Sequence, residues 1–302
     1  MKEFTTWVRA ARLRTLPLSV SGILTGAALA SGMGYSDPIL LTLLLATTVA
    51  YQITSNFAND YGDGIKGTDN DMRIGPQRVL QSGALTATRL KNGIRVSVGV
   101  SLLLTFATLW RAFGLDSTGY FALFLLLGGL AIWAAIRYTV GAGAYGYRGL
   151  GDLFVFLFFG LLSVLGSLFL YTQQWHSTAL LPAFTIGALS TAVLNLNNLR
   201  DSESDRKSGK NTLVVQMGYQ GGVRYHFALC LLAFLSLGWF VLLQPEPFPT
   251  AWALLPFLAI GIHLGVVYRT KDPSRLDPEL KKLALSTFFI ALLLYLANNY
   301  FL

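Results

Sequence analysis

Cysteine occurs once in this chain, at Cys230, so no internal disulfide framework is possible. Cys230 stands in an apolar run and reads as a small buried hydrophobe. Histidine is almost as scarce. His176, His226 and His263 are far apart and share no metal-ligand spacing, so we expect no catalytic role for them. Charge is the most telling shortage: only 13% of the residues are Asp, Glu, Lys or Arg, while 53% are of hydrophobic type. A soluble fold of 302 residues has too much surface to hide that much apolar material.

What is present is a series of long apolar runs. Nine reach, or nearly reach, bilayer length, at about 15–34, 38–58, 94–114, 118–136, 152–172, 178–198, 225–243, 250–268 and 283–301. Backbone groups in lipid must bond within their own segment, so each run is expected to be a helix. The expected fold is all-α and polytopic, one transmembrane domain over residues 1–302. The basic, then apolar, N-terminus reads as a retained first helix rather than a cleaved signal.

The net charge of +8 does not point to nucleic acid, and no such partner is expected. All the lysines and arginines except Arg111 fall before the first run, in alternate connections or, for Arg95, at the very start of the third run. The positive-inside rule then puts the N-terminus in the cytoplasm and the C-terminus on the far side of a cell membrane.

Two acidic clusters follow the second and sixth runs, and so lie on one side. The first runs from Asn56 through Asn59, Asp60, Asp63, Lys66 and Asp69 to Asp71. The second runs from Asn197 through Arg200, Asp201, Glu203 and Asp205 to Lys210. Helical residues four apart stack on one face, which pairs Asn59 with Asp63 and aligns Asn197, Asp201 and Asp205. Like charges stacked this way repel unless a cation lies between them. Hard oxygen ligands suit Mg²⁺, which completes its shell with phosphate and water. Two facing clusters suit two such ions around one diphosphate, with Arg73, Arg78, Lys207 and Lys210 placed to neutralise its oxygens. Replacing one aspartate by asparagine should relieve repulsion and leave stability unchanged or slightly higher. Glu203, two residues from Asp201, should point off the shared face.

A third polar segment carries Arg137, Tyr138, Tyr145 and Arg148 among glycines. These four side chains are candidates to face substrate. Gly141, Gly143 and Gly146 match a dinucleotide fingerprint by spacing, but no strand precedes them, so that reading is rejected.

The clusters resemble the UbiA superfamily of membrane prenyltransferases. Asn59-Asp60-Tyr-Gly-Asp63 is similar to the opening of its first motif, and Asp201-Ser-Glu-Ser-Asp205 to its second. The first departs at its end. Gly67 stands where an aspartate is expected, and Asp69 comes two residues later, so it joins the motif only if the Gly64–Gly67 turn folds it back. Within the superfamily the likeness is to the naphthoate-prenylating branch, in Leu13-Arg14-Thr15-Leu16-Pro17, in Gly149-Leu-Gly-Asp152 and in Gly209-Lys210-Asn-Thr212.

The resemblance implies nine helices around a central cavity. It implies catalytic Asn59, Asp60, Asp63, Asp69, Asn197, Asp201 and Asp205, with Mg²⁺ on Asp63, Asp69, Asp201 and Asp205. It implies a polyprenyl diphosphate donor, 1,4-dihydroxy-2-naphthoate as acceptor and demethylmenaquinol as product. Arg137 or Arg148 would bind the acceptor carboxylate, and Lys66 or Tyr61 would attend a ring hydroxyl. Three alternatives stand beside this reading. One is a related enzyme using 4-hydroxybenzoate, homogentisate or a chlorophyllide. A CDP-alcohol phosphotransferase is the second, although its downstream Ala-Arg is missing. The third is an ion-coupled transporter.

Overall fold

The computed structural model describes residues 2–69, 74–114 and 116–300. Among them run twelve α-helices: α1 Lys2–Ala11, α2 Leu16–Gly32, α3 Pro38–Ile65, α4 Ala87–Phe113, α5 Thr118–Arg137, α6 Gly151–Val155, α7 Ser163–Thr172, α8 Leu180–Lys207, α9 Leu213–Leu242, α10 Pro247–Ala251, α11 Pro256–Arg269 and α12 Asp277–Tyr300. Several join end to end, and nine continuous stretches are long and apolar enough to cross a membrane, as hydropathy predicted. This is a multi-pass, all-α membrane protein.

Helix ends differ from the expected ones where polar residues continue a helix past its apolar run. The first span reaches back to Glu3, interrupted near Arg12, and the seventh starts at Leu213 rather than near 225. Capping sets the true starts. Asp37 accepts from the amides of Ile39 and Leu40, both at 3.0 Å, just before Pro38. Thr212 does the same for Val215 at 3.4 Å and starts α9 well before the apolar stretch.

Lipid offers helices no hydrophobic reason to associate, so small residues and polar bonds join them. Thr47–Thr108, Tyr51–Thr105 and Thr54–Ser101 form a ladder of hydroxyl bonds at 2.9, 2.7 and 3.2 Å. The rising and falling numbers show α3 and α4 antiparallel. Gly160 lies in a π-helical turn, Phe156–Leu162, between α6 and α7. A Cβ there would come within 2.5 Å of the Gly187 Cα on α8, so the two backbones touch. α8 is the most enclosed span and packs along α9, while α12 packs along α2. Leu103, Leu126, Trp133, Leu258 and Ile262 face outward, a surface suited to lipid rather than water.

Candidate active site

α3 does not stop with its apolar run. It continues to Ile65, so Asn56, Asn59, Asp60 and Asp63 occupy its last turns. Asn56 donates to the Ala11 carbonyl at 2.8 Å and ties α3 to the first span. Asp60 is buried and meets two guanidiniums: Arg12 by a direct hydrogen bond, and Arg78 at 3.4 Å. Arg12 occupies a left-handed corner, φ 50°, between α1 and α2; that conformation is uncommon for a residue with a Cβ. Asn59 takes a different direction. It lines the cavity described below and accepts from Thr139 Oγ1 at 3.3 Å.

α3 ends at a glycine turn, with Gly67 at φ +72°. The turn folds the chain back, so the amides of Thr68 and Asp69 point at the Asp63 carbonyl, at 3.0 and 3.5 Å. Asp69 is thereby buried beside the motif, 3.8 Å from Arg78 Nε. The two-residue offset noted in the sequence does not send it into solvent.

The second cluster lies on the last turns of α8. Arg200 is fully buried. It donates to both oxygens of Asp201, at 2.8 Å from Nε and 2.6 Å from Nη2, and Nη2 also reaches Asn197 Oδ1 at 3.0 Å. Its remaining edge pairs with Asp277 of α12. Asp205 is buried one turn beyond Asp201, whereas Glu203 is exposed, as expected from the helical period.

Lys210 joins the two motifs. A turn at Gly209, φ +73°, brings the Lys210 amide to the Asp205 carbonyl at 2.8 Å. Its Nζ lies 3.9 Å from Asp63 Oδ2 and 3.9 Å from Asp205 Oδ1. Burial opposes the ammonium charge, but Asp63 and Asp205 outweigh it and hold the lysine above its ordinary value. Burial pulls Arg78 down to about 9, against the attraction of Asp201, so it too remains a cation at neutral pH.

The segment after α5 closes over this pair. Tyr147 donates to Asp63 at 2.8 Å, shares a hydrogen bond with Thr68, and receives the Asn211 amide on its carbonyl at 3.1 Å. Lys66 is exposed, with its Nζ 3.9 Å above the Tyr147 ring. Burial lowers the Lys66 value, with Asp63 partly restoring it. Arg137 curls against the glycine turn, where a Cβ at Gly141, φ +88°, would meet its Nη1 at 2.4 Å. Arg148 is exposed, and a Cβ at Gly143 would lie 3.8 Å from its Nη2. Lys207 is exposed, and Arg73 lies outside the described residues.

Next to these charges is a cavity of about 350 Å³, enclosed by the first five spans with Leu194 of α8. Tyr138, Tyr145, Phe154 and Phe158 give it an aromatic wall. Tyr145 stacks on Phe154 with centroids 4.0 Å apart. Burial pushes the Tyr138 phenol up to about 12. The apolar cavity, lined at one point by Asn59, and the charged cluster on the same helix end together suit a molecule with an anionic head and a hydrocarbon tail.

Sequence reasoning missed the countercharges. In the sequence Arg12 is only one of the basic residues before the first run, Arg200 is a member of the second cluster with no partner assigned, and Tyr147 and Asp277 carry no role. Arg200 precedes Asp201, and adjacent helical positions do not face each other, so spacing gave no hint of the pair. His226 and His263, far apart in sequence, meet with their Nε2 atoms 2.9 Å apart.

The cations also revise one expectation. No group of three or more Asp, Glu, His or Cys side chains converges to hold an ion among the described residues. The acidic side chains are instead interleaved with Arg12, Arg78, Arg200 and Lys210, so neutralising one aspartate strands a cation rather than relieving repulsion.

Nine membrane-length spans among the described residues, with Lys210 bridging Asp63 and Asp205 of two acidic motifs and Asn59 lining an apolar cavity, define a polytopic membrane protein built to suit an amphipathic anion. More particularly, the chain belongs to the UbiA prenyltransferase family, whose sequence model matches residues 19–293. It is a membrane prenyltransferase, a class that transfers polyprenyl groups to aromatic or polar acceptors. The 1,4-dihydroxy-2-naphthoate octaprenyltransferase of Escherichia coli (strain K12) is 42% identical over 279 residues, 91% of this chain and 89% of that protein. The Haemophilus influenzae protein of the same description is 42% identical over 303 residues, 95% of this chain and 93% of its own. In fold, the chain is similar to the apo UbiA homolog from Aeropyrum pernix K1, at TM-score 0.66 and 16% identity, covering 93% and 95% of the two chains. The UbiA homolog from Archaeoglobus fulgidus bound to DMAPP and Mg²⁺ gives TM-score 0.62 at 14% identity, covering 92% and 98%.

Proposed function

We propose that this chain, acting as one catalytic domain, transfers a polyprenyl group from polyprenyl diphosphate to 1,4-dihydroxy-2-naphthoate. Diphosphate and CO₂ leave, and demethylmenaquinol forms. The observation that carries the reaction type is Lys210 between Asp63 and Asp205, 3.9 Å from each, with Asn59 of the same motif and the neighbouring Tyr138 lining an aromatic-walled cavity. The near full-length relatives named above support the acceptor.

The donor set is all hard oxygen, and it fits Mg²⁺ by chemistry. Asp63, Asp69, Asp201 and Asp205 are the residues that would hold it, and when bound it supplies Lewis-acid polarisation of the departing diphosphate. The chain's own cations do the rest. Lys210 and Arg78 absorb the charge that grows on the leaving oxygen as the allylic C–O bond breaks. Lys207 and Arg73 are the further cations assigned to the diphosphate.

The hydrocarbon tail lies along Phe154 and Phe158. Tyr138 and Tyr145 face the allylic cation with their ring electrons, and the apolar wall keeps water from it. Arg137 or Arg148 binds the acceptor carboxylate until the ring carbon attacks. The new C–C bond forms as the C–CO₂ bond breaks, and its electrons return to the ring. The N-terminus is cytoplasmic and the C-terminus extracytoplasmic, so both substrates meet at the inner face of the cytoplasmic membrane.

The test is purified protein with Mg²⁺, a panel of prenyl diphosphates and four acceptors, the lipid products read by mass. A prenylated, decarboxylated naphthoquinol is expected. Product from 4-hydroxybenzoate, homogentisate or a chlorophyllide alone would move the assignment to another branch.

A further inference from the structure

Asp277 belongs to neither acidic motif. It opens α12 and faces Arg200 from the side opposite Asp201. The buried guanidinium therefore serves two carboxylates, Asp201 through Nε and Nη2 and Asp277 through Nη1. Arg200 has a side-chain exposure of 1%, against 37% for Asp277. One carboxylate is enough to neutralise one arginine. The second has a use if Asp201 must at some stage turn to another cation.

Asp277 is well placed to stay behind when that happens. Glu279, on the same first turn of α12, faces His263 Nδ1 at 2.7 Å and pairs with Lys282. His263 in turn meets His226 of α9 at 2.9 Å. The turn carrying Asp277 is thus tied to α9 and α11 through a buried polar chain, on a different helix from the one that carries Asp201.

We propose that Asp277 is a positioning residue that retains Arg200 when Asp201 turns to a divalent cation and its diphosphate. The proposal rests on the function given above. Without Asp277, the buried arginine has Asp201 as its only carboxylate and competes with the arriving ion for the same two oxygens. Mg²⁺ binds oxygen at about 2.0–2.1 Å and does not share a ligand easily with a bidentate guanidinium.

The experiment is an EPR titration of the detergent-purified protein with Mn²⁺ alone, without substrate. Asp277→Asn is expected to weaken Mn²⁺ binding about tenfold, the scale of one lost charged hydrogen bond. Asp277→Glu, which keeps the charge, should restore most of the affinity. Adding Arg200→Gln to Asp277→Asn removes the competitor and should also recover it, a coupling that a mere packing defect does not produce. With Mg²⁺ and substrates, Asp277→Asn should raise the half-saturating Mg²⁺ concentration more than it lowers kcat.

Wild-type Mn²⁺ affinity in folded Asp277→Asn overturns the proposal. So does equal weakening in the Glu variant, or no recovery in the double variant. A wild-type protein that binds no Mn²⁺ overturns the metal reading itself, and this inference with it. If Asp277→Asn does not fold, the Glu and double variants carry the test.

Discussion

Replacing Lys210 by glutamine tests the centre of the site. The lysine is 8% exposed and lies 3.9 Å from carboxylate oxygens of both motifs. At an effective dielectric of about 20, each such pair attracts by roughly 4 kcal/mol before desolvation is counted. Desolvation consumes much of that, and removing one partner of a buried pair typically costs about 3–5 kcal/mol. Here the loss also leaves Asp63 and Asp205 facing each other without the cation between them. We therefore expect Lys210→Gln to destabilise the protein by about 3 kcal/mol, read as a lower Tm in detergent.

Two further outcomes separate this cause from a packing defect. Mg²⁺ should stabilise the variant more than the wild type, because a divalent ion restores positive charge between the motifs. The Lys210 contribution should also be flat with pH from about 6 to 9. A lysine whose folded value is raised contributes its full stabilisation below the unfolded value and loses it only as pH rises through the folded one. With a cation missing from the diphosphate, kcat should fall by about 10² or more. An unchanged Tm with unchanged turnover in Lys210→Gln would refute the bridging role.

Asp63→Asn, Asp201→Asn and Asp205→Asn should each lose most Mg²⁺-dependent turnover, measured as initial rate per folded protein, with Glu203→Gln as the unaffected control. Each Asn variant should be less stable by about 1–3 kcal/mol, because a buried cation or hydroxyl loses its acceptor. Wild-type rates and metal dependence in all three would reject the diphosphate site. Gly160→Val should destabilise by at least about 1–3 kcal/mol, since the new Cβ meets the Gly187 backbone rather than a movable side chain; a wild-type melting curve would contradict the contact. A reporter fused after Lys210 should score cytoplasmic and one at the C-terminus extracytoplasmic, and the reverse would overturn the proposed orientation.

The spans and the two acidic motifs were legible in the sequence because each is written locally. Twenty apolar residues in a row have few options in lipid, and a four-residue repeat of carboxylates defines one helix face wherever the helix goes. The glycine turn that returns Asp69 was foreseeable as a possibility from Gly64 and Gly67, and the chain's own backbone bonds decided it. What balances the carboxylates was not legible. Arg12 reaches Asp60 across 48 positions, Arg200 reaches Asp277 across 77, and Tyr147 reaches Asp63 across 84. No local period encodes such pairs. They exist because the last turns of α3 and α8 meet the first turn of α12, and because a buried carboxylate must find a cation or a donor there, from whichever part of the chain the packing brings near.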